Sequence, residues 1–271
     1  MLSATKEQPK EMLPLFAAGA ERELCLKPLL QLVFEQLNGF GFKEFCFVVG
    51  REKRAITDHF TPDPSFLSKL VKMGKAQQAA GMRRFYRAIN SSSISWVNQP
   101  QPLGFGHSLM MASSFVGTDD FVVHAGDTYV ISAQNAFLQR LIQAHREEEA
   151  EATLLLLKVP PTKGYGFAIV EGNGSRVSVT KVVEKPRRPP SDLAIMPIYA
   201  FSPTILEELK SVRPGIGGEI QLTDGIQRVL DRGGKVMAIK LTPQDVRLDI
   251  GTPENYWDAL RYTYGHFARI A

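Results

Sequence analysis

The sequence predicts an α/β fold: a mixed, mainly parallel sheet flanked by helices, with a β-rich layer added in the second half. Two observations carry this. Up to about residue 150, short apolar runs of strand character alternate with amphipathic helical patterns, the sequence sign of βαβ units. From Ala152 onward, strand-like runs at 152–159, 164–170, 175–183 and 194–201 follow one another, with Gly and Pro between them and no helix intervening. Composition sets the class: 271 residues, 44% hydrophobic and 22% charged, are ordinary for a globular chain long enough to bury a large core. We read residues 1–271 as one domain, with halves at 1–150 and 151–271.

Taken in order, residues 1–15 read as a proline-broken loop that packs Met12 and Leu13 inward and presents Lys6 and Lys10. Residues 17–27 read as a surface insertion. Pro28 starts an amphipathic helix, Leu29 to Leu37, closed by Asn38 and Gly39. Glu44 to Val49 is a short strand, Arg51 to Phe60 a helix, and residues 64–90 hold two more helical patterns. Ile94 to Val97 is a strand that runs through Asn98 and Gln99 into a Pro/Gly loop, and a helix follows from Phe105 to Phe115. Phe121 to Asp127 is a buried strand, and Ala133 to Glu149 a long helix. After the β-rich stretch come helices at about 203–211 and 219–232, a strand at 235–241, the run Val246 to Ile250 and a terminal helix from Pro253.

Several function classes are disfavoured at once. A net charge of +4 without a dense Lys/Arg tract does not suit extended nucleic acid. Cys25 and Cys46 make no metal-ligand spacing, and Cys46 reads as a reduced core thiol. No apolar run approaches the roughly 18 residues of a membrane span. Lys6, Glu7, Lys10 and Glu11 stand where a signal peptide needs apolar residues, so the cytoplasm is the expected location. The five histidines are scattered, which leaves nucleophilic acyl chemistry without support.

The residues that attract chemistry sit at strand ends, where open α/β sheets bind ligands. Gln99 offers a donor and an acceptor together, which suits the amide-like edge of a pyrimidine, and Gly104 has no Cβ to keep a flat ring off its main chain. Asp127 and Asp249 each close a strand-like segment. Each either caps a turn or joins the other around a hard cation such as Mg²⁺. Lys10 and Lys185 are point charges suited to phosphate, or plain surface lysines. Glu184 either accepts from sugar hydroxyls or is an exposed strand-end carboxylate. The run Gly164-Tyr165-Gly166 either lets a ligand approach the main chain or makes a hairpin turn.

Read together, these segments resemble the UTP–glucose-1-phosphate uridylyltransferases, or UDP-glucose pyrophosphorylases, of the bacterial and archaeal type. The matching stretches are Thr5 to Leu15 (containing Lys-Glu-Met-Leu-Pro), Gln99 to His107, Gly126-Asp127 and Gly164 to Gly166. They continue with Val183 to Pro186, Gly218 to Asp224 and Leu248 to Thr252, in the family's order and across nearly the whole chain. The resemblance implies a Rossmann-like nucleotidyltransferase domain, with a nucleotide-binding half at 1–150 and a sugar-binding half at 151–271. It implies that Gln99 and Gly104 hold the base, Lys10 the nucleotide phosphates, and Asp127 with Asp249 an Mg²⁺ ion. Gly166 and Glu184 would hold the sugar and Lys185 its phosphate, with Lys10, Asp127, Lys185 and Asp249 the catalytic set. The implied substrates are UTP and glucose 1-phosphate, and the expected assembly is a homo-oligomer, dimer or tetramer, with neither nucleic acid nor membrane as partner. A thymidylyltransferase and a non-catalytic nucleotide- or sugar-binding protein are the alternatives. The second is motivated by a departure: the family opens with an apolar strand and a Gly-x-Gly-Thr-Arg loop, and this sequence opens where that loop ends, so the expectation is a chain lacking both. Pro197 stands where many relatives carry glycine near the sugar.

Overall fold

A computed structural model describes residue 5 and residues 8–50, 53–160 and 164–269. The first half begins with a 3-10 turn, Lys10–Met12, then β1 (Pro14–Ala18) and β2 (Leu24–Pro28). Next come α1 (Leu29–Phe40), β3 (Glu44–Gly50), α2 (Arg54–His59), α3 (Pro64–Lys72), α4 (Ala76–Asn90) and β4 (Ser93–Gln99). They are followed by α5 (Phe105–Met111), α6 (Ser113–Val116), β5 (Phe121–His124), β6 (Thr128–Ile131) and α7 (Ala136–Glu147). The second half holds β7 (Ala152–Lys158), β8 (Phe167–Glu171), β9 (Arg176–Val183), β10 (Leu193–Phe201), α8 (Thr204–Lys210) and α9 (Leu222–Asp231). It closes with β11 (Val236–Lys240), β12 (Val246–Asp249) and α10 (Pro253–Phe267).

Local chemistry explains several boundaries. Asp63 caps α3 by accepting from the Ser65 and Phe66 N–H groups, with Pro64 at the first helical position. Thr252 and Pro253 start α10 in the same way. Gly41 ends α1 at φ 125°, a conformation that side chains disfavour.

A six-stranded sheet in the order β5-β10-β7-β11-β9-β8 forms the centre, beside the pairs β1–β2, β3–β4 and β6–β12. The expected α/β architecture and its β-rich addition are both present. The pairing is more antiparallel than expected: β3–β4 and β7–β11 are parallel, whereas β10 runs against β5, β7 and β8, and β9 against β8 and β11. A short turn joins β8 to β9, which only antiparallel neighbours allow, and β10 follows β9 after residues 184–192 without a helix and pairs antiparallel with β8. Along β7, Leu154 and Leu156 face the side packed by Ile205 and Leu209 of α8 and Ile226 of α9, and Leu155 faces Phe137 and Leu141 of α7. Alternation of period two thus buries both faces of this strand. A separate aromatic core, Phe34 with Phe45, Phe60 and Phe85 at ring separations of 4.7, 5.3 and 6.1 Å, seats β3 against α1, α2 and α4.

Four local readings change. Residues 17–27 are mostly the hairpin of β1 and β2, paired from Pro14↔Pro28 to Ala18↔Leu24, so the loop reading of 1–15 also ends at Leu13. Leu15 and Ala17 alternate into the core, while charged residues gather at the turn, where Arg22 adopts φ 68°. The single helix from Phe105 to Phe115 is two pieces that meet at Ala112. The strand expected to run to Asp127 stops at His124, and a further strand, β6, follows directly. Cys46 is half-buried rather than a core residue, and burial pushes its thiol up. Lys6 and Arg51 lie outside the described residues.

Candidate active site

A cleft of about 440 Å³ opens where the ends of β5 and β12 and the middle of β10 meet the start of α9, and its walls include Asp127, Gly166, Glu184, Lys185 and Asp249. The ladder between β6 and β12 explains one side of it. Asp249 pairs with Thr128 across that ladder, so the last residue of β12 stands beside the residue that follows Asp127. Lys10 reaches in from the 3-10 turn and donates from Nζ to Asp127 Oδ2. Burial pulls the Lys10 ammonium down, but the charge and hydrogen bond of Asp127, with Glu11 and Asp249, outweigh it and hold the pKa above its ordinary value. Two carboxylates and a lysine therefore share one end of the cleft.

Asp249 is oriented at both oxygens. Arg247 Nη2 donates to Oδ2 at 2.6 Å, and the Gly251 N–H donates to Oδ1 at 2.6 Å. Arg247 also donates from Nη1 to the Tyr165 hydroxyl at 3.0 Å and lies over that ring, 5.4 Å from its centre. Both side chains line the cleft; Tyr165 was read from sequence only as part of the Gly164-Tyr165-Gly166 run, and Arg247 was not singled out. The signal was there for Arg247: residues two apart on a strand share a face, and Arg247 stands two before Asp249.

The other end is built around Glu184. Thr223, on the first turn of α9, donates from Oγ1 to Glu184 Oε2 at 2.6 Å, and Lys185 Nζ lies 3.5 Å from Glu184 Oε1. A Cβ on Gly166 would come within 3.0 Å of Glu184 Oε2 and 3.2 Å of Thr223 Oγ1, so a side chain there would press on both. Lys185 adopts φ 40°, uncommon for a side-chain-bearing residue, and its N–H donates to Tyr165 O at 3.1 Å. Burial, aided by Glu184, pushes the Asp224 carboxyl up. Thr223 was also missed by sequence reading, although it lies inside the matching stretch Gly218 to Asp224.

Gln99 and Gly104 stand apart from this cavity, and the loop that carries them reaches it through Phe105. The loop is fastened to the second half of the chain: Gly106 N–H donates to Ile220 O at 2.9 Å, and Ile220 N–H to Leu103 O at 2.8 Å. A Cβ on Gly104 would meet Glu219 Cβ and Ile220 O at 2.8 Å. Its glycine, at φ 101° and ψ 174°, is accounted for by this seat against Glu219 and Ile220 and by the positive φ. Gln99 also differs from expectation, because its amide nitrogen is engaged within the loop, by Gly104 O at 3.3 Å and His107 Nδ1 at 3.0 Å. Among the described residues, no cluster of three or more His, Cys, Asp or Glu side chains has metal-binding form. The two aspartates are the available pair, and all-oxygen donors of this kind fit an ion that keeps water and phosphate oxygens in its remaining positions.

Comparison with known proteins bears on this arrangement. A family model described as "Nucleotidyl transferase" matches residues 5–264. The UTP--glucose-1-phosphate uridylyltransferase of Bacillus subtilis (strain 168) is 34% identical over 233 residues, 84% of this chain and 75% of that protein. The protein of the same name from Mycoplasma pneumoniae is 34% identical over 270 residues, 97% of this chain and 87% of the relative. Among solved structures, an apo UDP-glucose pyrophosphorylase superposes with a TM-score of 0.85 at 27% identity, covering 98% of this chain and 94% of that one. A UDP-glucose pyrophosphorylase complexed with UDP-glucose gives 0.81 at 27% identity, with the same coverage. A UTP-bound enzyme from Acinetobacter baumannii gives 0.81 at 26% identity, over 96% of this chain and 87% of that one.

Proposed function

We propose a sugar-nucleotide-forming reaction for this chain, which belongs to the nucleotidyl transferase family. The substrates are UTP and glucose 1-phosphate, and the products UDP-glucose and pyrophosphate. The observation that carries this reading is the two-ended cleft. Asp127, Asp249 and Lys10 form an electrostatic end suited to phosphates, and Gly166, Glu184 and Lys185 form a polar end suited to a sugar phosphate.

The chemistry asks little covalent work of the protein. A sugar 1-phosphate is already a nucleophile, so no protein base is needed. One of its oxygens bonds to the α-phosphorus of UTP, and the bond from that phosphorus to the bridging oxygen breaks as pyrophosphate leaves. Lys10 neutralises nucleotide phosphate charge, and Lys185 draws in the second anion against its repulsion from the first. Glu184, held by Thr223, accepts from sugar hydroxyls. Asp127 and Asp249 would hold an Mg²⁺ ion, which when bound would supply charge neutralisation at the phosphates. Gln99 and its loop receive the base. The chain acts as a soluble homo-oligomer in the cytoplasm.

The test is an assay of the purified chain with glucose 1-phosphate and either UTP or dTTP. UDP-glucose is the expected faster product, and faster formation of dTDP-glucose would overturn the uridylyl assignment. Asp127→Asn and Asp249→Asn should each lower turnover by at least about two orders of magnitude. Near-normal turnover in either variant removes that residue from the site. Binding of UDP-glucose without any turnover would instead favour a binding protein.

A further inference from the structure

We propose that His107 is a positioning residue for base selection: it holds the Gln99 amide with its carbonyl oxygen outward, so that the base subsite accepts a ring N–H and discriminates against a ring lone pair. This rests on the reading of Gln99 as the base-facing residue and adds a specificity to it.

The argument starts from an acceptor that cannot change its role. The Gly104 carbonyl can only accept, so the Gln99 atom 3.3 Å from it is the amide nitrogen and not the oxygen. That same nitrogen is 3.0 Å from His107 Nδ1. A donor nitrogen facing Nδ1 requires a lone pair there, so His107 is neutral with its ring proton on Nε2. The two hydrogens of the amide are thereby matched to two acceptors inside the loop. Among the described residues no donor reaches Gln99 Oε1, and that oxygen is the part of the amide free for a ligand. His107 stands on the first turn of α5, whose start is fixed by the Gly106–Ile220 hydrogen bond, so its backbone is held beside the amide and its Nδ1 contact orients the ring.

An outward carbonyl reads a pyrimidine at its N3 edge. Uracil carries a hydrogen on N3 and donates it to Oε1. Cytosine in the same seat points the N3 lone pair at Oε1, acceptor against acceptor. A free glutamine would rotate its amide by half a turn and donate instead. Here rotation would set Oε1 against both Gly104 O and His107 Nδ1. The selectivity comes from the residues that prevent rotation.

The experiment compares equilibrium binding of UDP-glucose and CDP-glucose to the full chain by calorimetry. The two ligands share sugar and phosphates and differ only in the base. The wild type should prefer UDP-glucose. His107→Leu removes one of the two acceptors and should lower that preference roughly three- to ten-fold, the worth of one neutral hydrogen bond. His107→Asn returns an acceptor oxygen near the place of Nδ1 and should restore it. A His107→Leu protein that binds with the wild-type preference overturns the proposal, as does failure of His107→Asn to recover any of the loss. Should His107→Leu not fold, the ¹⁵N shifts of His107 in the wild type decide: the Nε2–H tautomer is expected, and the Nδ1–H tautomer overturns the proposal. Gln99→Ala separates the two layers of the reading. Unchanged binding of both ligands in that variant removes Gln99 from the base site altogether, whereas weakened binding keeps it there and leaves the His107 result to stand or fall alone.

Discussion

At the scale of single residues, the most demanding group in the structure is one without an assigned part in the reaction. His124, the last residue of β5, is half-buried with its Nε2 shut off from solvent; its Nδ1–H donates to the Ala125 carbonyl at 2.8 Å, while Nε2 has no partner among the described residues. Burial drives its pKa from 6.5 to about 4, against the upward pull of the Ala125 bond and of Asp127. The folded chain therefore keeps this ring neutral where the unfolded chain protonates it. The stability it contributes is complete above pH 6.5, falls as the pH drops toward about 4, and is level below that. The full loss is about 3 kcal/mol. Urea denaturation of the wild type and of His124→Leu over this range should show a flatter pH dependence in the variant. Parallel curves would mean that His124 is already neutral in the unfolded chain or charged in the folded one. Residue identity alone could not have revealed this group, since nothing in Phe-Val-Val-His separates a buried histidine from an edge one.

At the scale of elements, the position of Asp249 depends on what holds β12 to β6. Asp245, in the connection from β11, accepts from Ser132 Oγ at 2.6 Å with one oxygen, and from Arg140 Nη2 at 2.6 Å and Thr242 N–H at 2.8 Å with the other. Burial would raise this carboxyl, but the bonds from Ser132, Thr242 and Arg140 more than reverse it and hold the pKa below the usual range. One carboxylate thus pins the end of β6, the helix α7 and the entry to β12. Asp245→Asn keeps the shape and forfeits the charge-assisted bonds, and should destabilise the fold by about 1.5–3 kcal/mol. A denaturant midpoint equal to wild type would show that the pin is redundant. The sequence made Val246 to Ile250 legible as a strand. Its partner β6 was lost, because the strand read from Phe121 carries to Asp127 and leaves the four residues Thr128–Ile131 unassigned, where the structure has a turn at Gly126-Asp127 between two strands.

At the scale of the whole molecule, the cleft is shared by both halves of the chain, so filling it should stabilise the fold as one unit. UDP-glucose at about a hundred times its dissociation constant should add about 2.7 kcal/mol. The accompanying rise in thermal midpoint should vanish when Gly166→Ala sets a methyl group against Glu184 and Thr223. An equal rise in both proteins would place the sugar elsewhere. Strand-end residues such as Asp127, Glu184 and Asp249 were readable because a carboxylate after an apolar run has few places to go. Thr223 was not, since its partner Glu184 comes from a distant element and local pattern carries no trace of it; Arg247 was traceable only through Asp249, two residues on, and not through Tyr165. The hydrogen bonds that join Leu103 and Gly106 to Ile220 have a further consequence, and it concerns order in time. As the chain is synthesised from its N-terminus, the loop bearing Gln99 emerges early, with its glycine seat empty. It stays unfinished until the residues around 220 leave the ribosome and close over it, so the first half acquires a competent loop only when most of the second has been made.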